Sequence, residues 1–344
     1  MSDCCAPKRR DWLLIVSGAV CVAAIGIHFS GILSGGPGAV FVHALVGLLG
    51  QMWWGLVLGI VAVGLLERLP REVVIAALGD KGGVGGIIRA MLAGLLLDLC
   101  NHGILLVAAQ LYRRGATLGQ TFAFLVASPW NSFTLTLILI GLIGLPWTLL
   151  FIAASGLIAL IAGLAADFFV HRGILPSNPN RVALPDGFRL IPAVRDAFAG
   201  FRPTPAALVA LLRDGWGAAQ MIVRWILFGA VLAALIQTFV PTDLLRDWFG
   251  PTLVGLALTL GAATLIEVCS EGSTPIAADL FNRAAAPGNA FAFLMAGAST
   301  DYTEILVLRQ ATGRWLLAFA LPILTLPQII ALGAALNAFT AKSG

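Results

Sequence analysis

One long stretch of this chain occurs twice, and this duplication constrains the fold more than any other feature. Residues 98–134 align with residues 267–303 without a gap, at an offset of 169. The alignment pairs Cys100 with Cys269 and Gly103 with Gly272. Because the same pattern recurs over a long distance, the chain is predicted to fold as two similar halves.

The composition places both halves in a membrane. Hydrophobic residues make up 59% of the chain and charged residues 11%, whereas soluble domains carry about 25% charged residues. Seven apolar stretches reach the roughly 20 residues that a helix needs to cross a bilayer: 12–33, 40–66, 117–143, 147–170, 217–240, 288–311 and 314–340. Alternation at period two is not sustained anywhere, which excludes a barrel. The sequence therefore predicts an all-α integral membrane protein with the lipid bilayer as a partner.

The segment around each repeated cysteine fits either one broken span or a re-entrant helical hairpin. If both segments are spans, the 21 basic residues split 10 to 11 between the two sides of the membrane. If both are hairpins, 18 lie on the cytoplasmic side and only Arg246, Arg283 and Lys342 lie outside. The positive-inside rule favours the hairpins. Seven spans and two hairpins predict repeats of inverted topology, with a cytoplasmic N-terminus and a periplasmic C-terminus.

The predicted organisation has four parts. They are an N-terminal arm with an extra transmembrane helix (1–39), a first repeat (40–171), a cytoplasmic linker (172–216) and a second repeat (217–344). We expect one amphipathic helix around 206–213 in the linker, and short surface helices at 69–78 and 241–249. The net charge of +4 is attributed to arginine-rich loops, because no nucleic-acid-binding motif is present.

Inverted repeats bring two hairpin tips together near the membrane midplane, so the tip residues form the candidate site. The tips offer Cys100, Asn101 and His102 in the first half, and Cys269, Ser270 and Glu271 in the second. Cys100, His102, Cys269 and Glu271 form a ligand set that suits Zn²⁺ or, with rearrangement, Cu⁺. The alternative is that the cysteines only pack and the glycines only allow the turns. That alternative does not explain the nearby acidic residues, since an intramembrane carboxylate costs about 2.5–3.5 kcal/mol.

Polar residues also interrupt two later apolar stretches, at 127–132 and 296–301. Asn131, Thr300 and Asp301 are predicted to contact the substrate there, and a kink stabilised by its own polar side chains is the alternative. The candidates for proton coupling are Asp98, Glu267, Asp301 and Glu304. His28 and His43 lie on apolar helices, where we expect hydrogen-bonded packing rather than metal ligation.

A longer pattern recurs in both halves: Cys-x-x-Gly, then Ala-Ala-x-Leu, then Phe-Ala-Phe-Leu and a polar break. Over roughly residues 40–340 this resembles the predicted permease family that includes ArsP-type exporters of organoarsenicals and relatives tied to copper and zinc efflux. The resemblance implies membrane export of a thiophilic species. Tips of that family typically read Cys-Ser-Cys-Gly, whereas this chain has His102 and Glu271 in place of the second thiol. These replacements favour a borderline divalent metal over a trivalent arsenical.

The resulting hypothesis is a secondary transporter of the bacterial inner membrane rather than an enzyme. It exports a metal or metalloid species, with zinc or copper as the substrate ion, protons as the coupling ion and no resident cofactor. The alternative is a membrane thiol-redox or metal-handling enzyme that uses Cys100 and Cys269.

Overall fold

The computed structural model describes residues 11–33, 35–79, 83–97, 99, 101–127, 133–185, 187–199, 204–239, 248–266 and 270–343. The regular secondary structure of these residues is entirely α-helical, as predicted. The helices are α1 (Trp12–Ser30), α2 (Gly36–Arg68), α3 (Arg71–Leu78), α4 (Gly83–Leu96), α5 (Asn101–Arg113), α6 (Leu118–Val126), α7 (Phe133–Ile143), α8 (Leu145–His171), α9 (Leu190–Phe198), α10 (Pro205–Phe239), α11 (Leu253–Ile266), α12 (Ser270–Asn282), α13 (Pro287–Ala296), α14 (Tyr302–Thr312) and α15 (Trp315–Ser343).

Several of these helices are long and apolar enough to cross a membrane. In the described part of the chain α1, α8 and α15 satisfy both conditions. The helices α2 and α10 contain 33 and 35 residues, so each is about 50 Å long at 1.5 Å per residue. Their ends therefore project beyond a hydrocarbon core of about 30 Å. The predicted class, an all-α integral membrane protein, is confirmed.

Local sequence signals set several helix ends. The carboxylate of Asp11 accepts a hydrogen bond from the Leu14 N–H at 3.2 Å and caps the start of α1. At the other end Gly31 adopts the left-handed conformation that closes the helix. Thr117 and Gln120 form a reciprocal capping box at the start of α6. Side-chain caps and a left-handed glycine therefore define these helix ends.

Two stretches predicted as continuous spans each contain two shorter helices. The stretch 288–311 consists of α13 and α14, joined by a turn at 297–301. A break was predicted at this position and is confirmed. The stretch 117–143 contains α6 and α7, and the residues between them, 128–132, lie outside the described part of the chain.

The linker differs from its prediction. The expected amphipathic helix around 206–213 is not a separate element, because α10 runs without interruption from Pro205 to Phe239. Proline is tolerated in the first turn of a helix, so Pro205 starts this helix although the sequence before it reads as a linker. The linker instead contains α9. The surface helix expected at 69–78 is present as α3, whereas most of its counterpart at 241–249 lies outside the described residues.

The two halves place their helices at nearly constant offsets. The bounds of α5 and α12 differ by 169 residues at both ends, and so do those of α7 and α14. The packing recurs as well: α4 contacts α6, α6 contacts α8 and α7 contacts α8, as α11 contacts α13, α13 contacts α15 and α14 contacts α15. These correspondences support the predicted duplication.

Glycines allow the same close helix contact in both halves. A Cβ atom at Gly119 on α6 would overlap the carbonyl oxygen of Gly163 on α8. A Cβ atom at Gly288 on α13 would likewise overlap the carbonyl oxygen of Gly333 on α15. Small residues let helices approach this closely where lipid supplies no hydrophobic drive for packing.

Each of these contacts also carries a buried hydrogen bond. The Gly119 N–H donates to the carboxylate of Asp167 at 2.9 Å, and the Gly288 N–H donates to the side-chain oxygen of Asn337 at 2.7 Å. Both bonds satisfy a backbone donor at the start of a helix, which has no partner within the helix. The first helix of each broken span is thereby fixed to the last helix of its own half.

The equivalent helices α2 and α10 pack against each other in opposite directions. Gly64 on α2 lies against Leu211 and Gly215, and Gly215 lies against Ile60 and Gly64. Residue numbers therefore rise along α2 as they fall along α10. The rotation that relates these two helices reverses the direction of the chain.

Candidate functional site

The helices α4 and α5 form a hairpin, because the start of α4 and the end of α5 lie together. The start of α4 adjoins the start of α6, because a Cβ atom at Gly86 would lie 2.7 Å from the side-chain nitrogen of Gln120. The end of α5 also adjoins the start of α6, since only a short turn separates Arg113 from Leu118. The chain therefore turns back between α4 and α5. This geometry matches the predicted hairpin rather than a broken span.

The tip of this hairpin is buried against α2. The side chains of Asn101 and His102 are 3% and 4% exposed. The next residue, Gly103, lies against Gly59, where a Cβ atom would meet the Gly103 Cα at 3.1 Å. Facing glycines allow the tip to approach the α2 backbone this closely. Two of the predicted site residues therefore lie inside the protein at the start of α5.

From this tip α5 runs parallel to α2. The side-chain amide of Gln110 donates to Glu67 at 2.5 Å, and the Arg114 guanidinium donates to Glu67 at 2.6 Å and to the Leu69 carbonyl at 2.5 Å. Gly59, beside the tip, lies nine residues before the end of α2, which corresponds to about 14 Å. This is less than half of the length of α2, so the hairpin ends partway along that helix.

Buried polar residues surround the break between α13 and α14. Five polar side chains between positions 299 and 304 are at most 4% exposed: Ser299, Thr300, Asp301, Thr303 and Glu304. The Thr300 hydroxyl lies 2.8 Å from the hydroxyl of Thr264 on α11. Thr264 is three residues before Glu267, so this contact brings the segment that leads to Cys269 next to the break.

The helix that begins at this break packs against α5 and α10. The Tyr302 hydroxyl donates to the Gly229 carbonyl at 2.7 Å, and the Arg224 guanidinium donates to Gln310 at 2.8 Å. These contacts make α14 antiparallel to α10, and therefore parallel to α2 and α5. Both α5 and α14 begin inside the protein, one at the hairpin tip and the other at the break.

The starts of these helices favour negative charge. Unpaired N–H groups give a helix N-terminus a partial positive charge, which stabilises a nearby carboxylate by about 0.3–1 kcal/mol. Asp301 occupies the N-cap position of α14 and Glu304 lies in its first turn. In the other half α12 and α7 form the equivalent packed pair. Such helix starts can hold carboxylates or thiolates and, through them, a cation.

Several predicted site residues lie outside the described part of the chain. They are Asp98, Cys100, Asn131, Glu267 and Cys269. Ser270 and Glu271 start α12, but their side chains are not described. Among the described residues no group of three or more His, Cys, Asp or Glu side chains could hold a metal ion. Of the four expected ligands only His102 is placed, and the four-ligand set stays a prediction.

Sequence reasoning missed two ionisable residues that hold helices together. Asp167 on α8 accepts from the Gly119 N–H and, at 3.0 Å, from the Thr117 hydroxyl. Arg224 on α10 forms an ion pair with Asp11 at 2.9 Å and so ties α1 to α10. A charged residue isolated within an apolar stretch of a helix is the signal that points to such positions.

Comparison with known proteins relates this chain to predicted membrane permeases. Residues 39–338 match the model of a family, ArsP_1, described as "Predicted permease". The UPF0718 protein YcgR of Bacillus subtilis (strain 168) is 24% identical over 263 residues, which cover 74% of this chain and 83% of that protein. A protein of Streptococcus mutans serotype c (strain ATCC 700610 / UA159), named "Putative two-component membrane permease complex subunit", is 21% identical over 259 residues, covering 74% and 81%. No solved structure matches the chain significantly.

Proposed function

The chain belongs to the ArsP_1 family of predicted permeases, and we propose that it exports a thiophilic metal or metalloid species, preferably a divalent ion such as zinc. The family supports a multi-pass membrane transporter over the alternative of a thiol-redox enzyme. The proposed ligands of the cargo are Cys100, His102, Cys269 and Glu271, which unite two thiolates, an imidazole and a carboxylate.

The observation that carries this proposal is the buried polar tip of the first hairpin. Asn101 and His102 are almost completely buried, directly after Cys100 and at the start of a helix that packs against α14. Polar side chains inside a membrane protein face its interior or a cavity and often mark functional sites. A cargo site at the tip explains why polar side chains are buried there, whereas a simple turn does not require them.

Access from both sides is proposed to follow from the arrangement of the halves. The antiparallel packing of α2 and α10 supports repeats of inverted topology, because a rotation that reverses membrane-spanning helices has its axis in the membrane plane. With the 18 to 3 distribution of basic residues, the N-terminus lies in the cytoplasm and the C-terminus in the periplasm. The second hairpin then reaches the site from the opposite face.

Protons are the proposed coupling ions. Asp301 and Glu304 are 1% and 2% exposed and lie three residues apart at the start of α14. Asp98 and Glu267 occupy equivalent positions two residues before the repeated cysteines. Intramembrane carboxylates at such positions are typical of proton relays. Proton uptake by these groups would accompany release of the metal ion.

Transport in everted membrane vesicles with an acidic interior tests this function. We expect accumulation of radioactive Zn²⁺ by the wild type, and no accumulation by Cys100→Ser or Cys269→Ser. Cys21→Ser is the matched control, because Cys21 is a buried thiol on α1, outside both repeats, and it should transport normally. Normal accumulation by Cys100→Ser would contradict the proposal. A wild-type protein that moves no metal but oxidises or reduces thiols would favour the enzyme alternative.

A further inference from the structure

The helices α1 and α2 bring two histidines together beside the turn that joins them. The ring centroids of His28 and His43 lie 5.6 Å apart, and the ring planes are tilted by 39°. Both side chains are exposed, and neither imidazole has a hydrogen bond within the described part of the chain. The sequence suggested hydrogen-bonded packing, whereas the structure presents two accessible imidazoles.

We propose that His28 and His43 form a second binding site for a divalent transition-metal ion. Neutral imidazole is the commonest metal ligand in proteins and suits Zn²⁺, Ni²⁺ and Cu²⁺. Water molecules would complete the coordination shell, as expected for a site with few protein ligands. This site is separate from the hairpin tips and does not depend on the proposed cargo site.

The ring separation fits two imidazoles on one ion. A metal–nitrogen bond is about 2.0–2.1 Å long, and the ring centre lies about 1.2 Å beyond the nitrogen. Two rings that bind one ion at angles between about 90° and 180° then have centres about 4.5–6.5 Å apart. The observed 5.6 Å lies within this range, so the spacing of the two rings suits an ion shared by both imidazoles.

A hydrated ion can reach this position. His28 lies in the last turn of α1, and His43 lies seven residues after the start of α2. The length of α2 exceeds the hydrocarbon core by about 20 Å, which leaves about 10 Å at each end if the excess is shared. Seven residues span about 10 Å, so the pair lies at the boundary between hydrocarbon and headgroups.

The position also suits the proposed direction of transport. The helix α1 precedes the first repeat, so the pair supplies one site per chain rather than one per half. In the proposed orientation α1 starts on the cytoplasmic side, and His28 at its end lies on the periplasmic side. An ion released from the midplane would meet these imidazoles after it leaves the transport pathway.

Calorimetric titration of the full-length protein with Ni²⁺ tests the site, with a purification tag that contains no histidine. We expect His28→Phe, His43→Phe and the double variant each to lose the same single equivalent of bound Ni²⁺. Phenylalanine keeps a flat ring at each position, so it preserves packing while removing the nitrogens. His171→Phe is the matched control, because His171 is also exposed at the end of a membrane helix, and it should bind like the wild type.

Two further variants keep the result interpretable. His28→Gln and His43→Gln retain polar side chains and replace the phenylalanine variants if those do not fold. Each should lose the same equivalent of bound Ni²⁺. The Cys100→Ser/Cys269→Ser double variant should retain it, whether or not the hairpin tips bind metal. Wild-type Ni²⁺ stoichiometry in the His28 and His43 variants would overturn the proposal. Partial losses that add up in the double variant would also overturn it, because they indicate two independent sites.

Discussion

Replacing Gly119 by alanine tests how tightly the first helix of a broken span is held. The new Cβ atom would overlap the carbonyl oxygen of Gly163 and would lie 2.6 and 2.7 Å from the Cγ and Oδ1 atoms of Asp167. Ordinary contacts of this kind begin near 3.4 Å. The helix α6 must therefore move by most of an ångström, which stretches the 2.9 Å hydrogen bond from the Gly119 N–H to Asp167.

The expected loss of stability follows from three contributions. Inserting a methyl group into a close-packed contact costs about 1–3 kcal/mol. Leaving the buried Gly119 N–H without its acceptor adds about 1–3 kcal/mol. The better helix propensity of alanine offsets at most about 1 kcal/mol. Gly119→Ala should therefore destabilise the protein by about 1–6 kcal/mol.

Thermal unfolding in detergent, followed by fluorescence of the nine tryptophans, measures this effect. Gly141→Ala is the matched control, because a Cβ atom at Gly141 on α7 meets no atom within 4 Å, and we expect a change within about 0.5 kcal/mol. Gly288→Ala changes the equivalent contact of the second half and should melt as early as Gly119→Ala. Equal melting temperatures for Gly119→Ala and Gly141→Ala would refute the argument from close packing.

Three further predictions concern charge and topology. Asp167→Asn should be tolerated, because asparagine already fills the equivalent position of the second half. Asp167→Leu should cost about 1–3 kcal/mol, since it leaves a buried backbone N–H without an acceptor. Unfolding curves that coincide for the two variants would contradict this. Asp301→Asn should remove the pH dependence of transport while leaving protein abundance in the membrane unchanged, and a fall in abundance would instead indicate a structural kink. Single cysteines next to Arg114 and Arg195 should react only from the cytoplasm and one next to Asn282 only from the periplasm, and reaction of the first two from opposite faces would rule out the hairpin topology.

Apolar length and polar interruptions predict most of the membrane-embedded part. The stretches 147–170 and 314–340 correspond closely to α8 and α15, because a long apolar segment in a bilayer must satisfy its backbone hydrogen bonds as a helix. The break at 297–301 is visible in the sequence as a polar and glycine-containing interruption. The repeat places equivalent helices at equivalent positions before any contact is known.

Contacts between distant helices are not visible in the sequence. Pro205 hides the start of α10, since the residues before it resemble a linker while proline itself fits the first helical turn. Asp167 and Gly119 are 48 residues apart, and their hydrogen bond depends on the packing of α6 against α8. His28 and His43 each read as an isolated residue on an apolar helix. Only the packing of α1 against α2 makes them a pair.

The most direct test of the proposed cargo site is the Zn²⁺ stoichiometry of the purified protein and its cysteine variants. Cys100 and Cys269 are 169 residues apart, and sharing one tetrahedral ion would place their sulfurs about 3.5–4 Å from each other. Because the remaining ligands cannot complete the coordination shell, Cys100→Ser or Cys269→Ser should each abolish high-affinity binding at the tips as completely as the double variant. Half of the binding lost with each single change, or wild-type binding and transport in both, would contradict a site shared between the two halves.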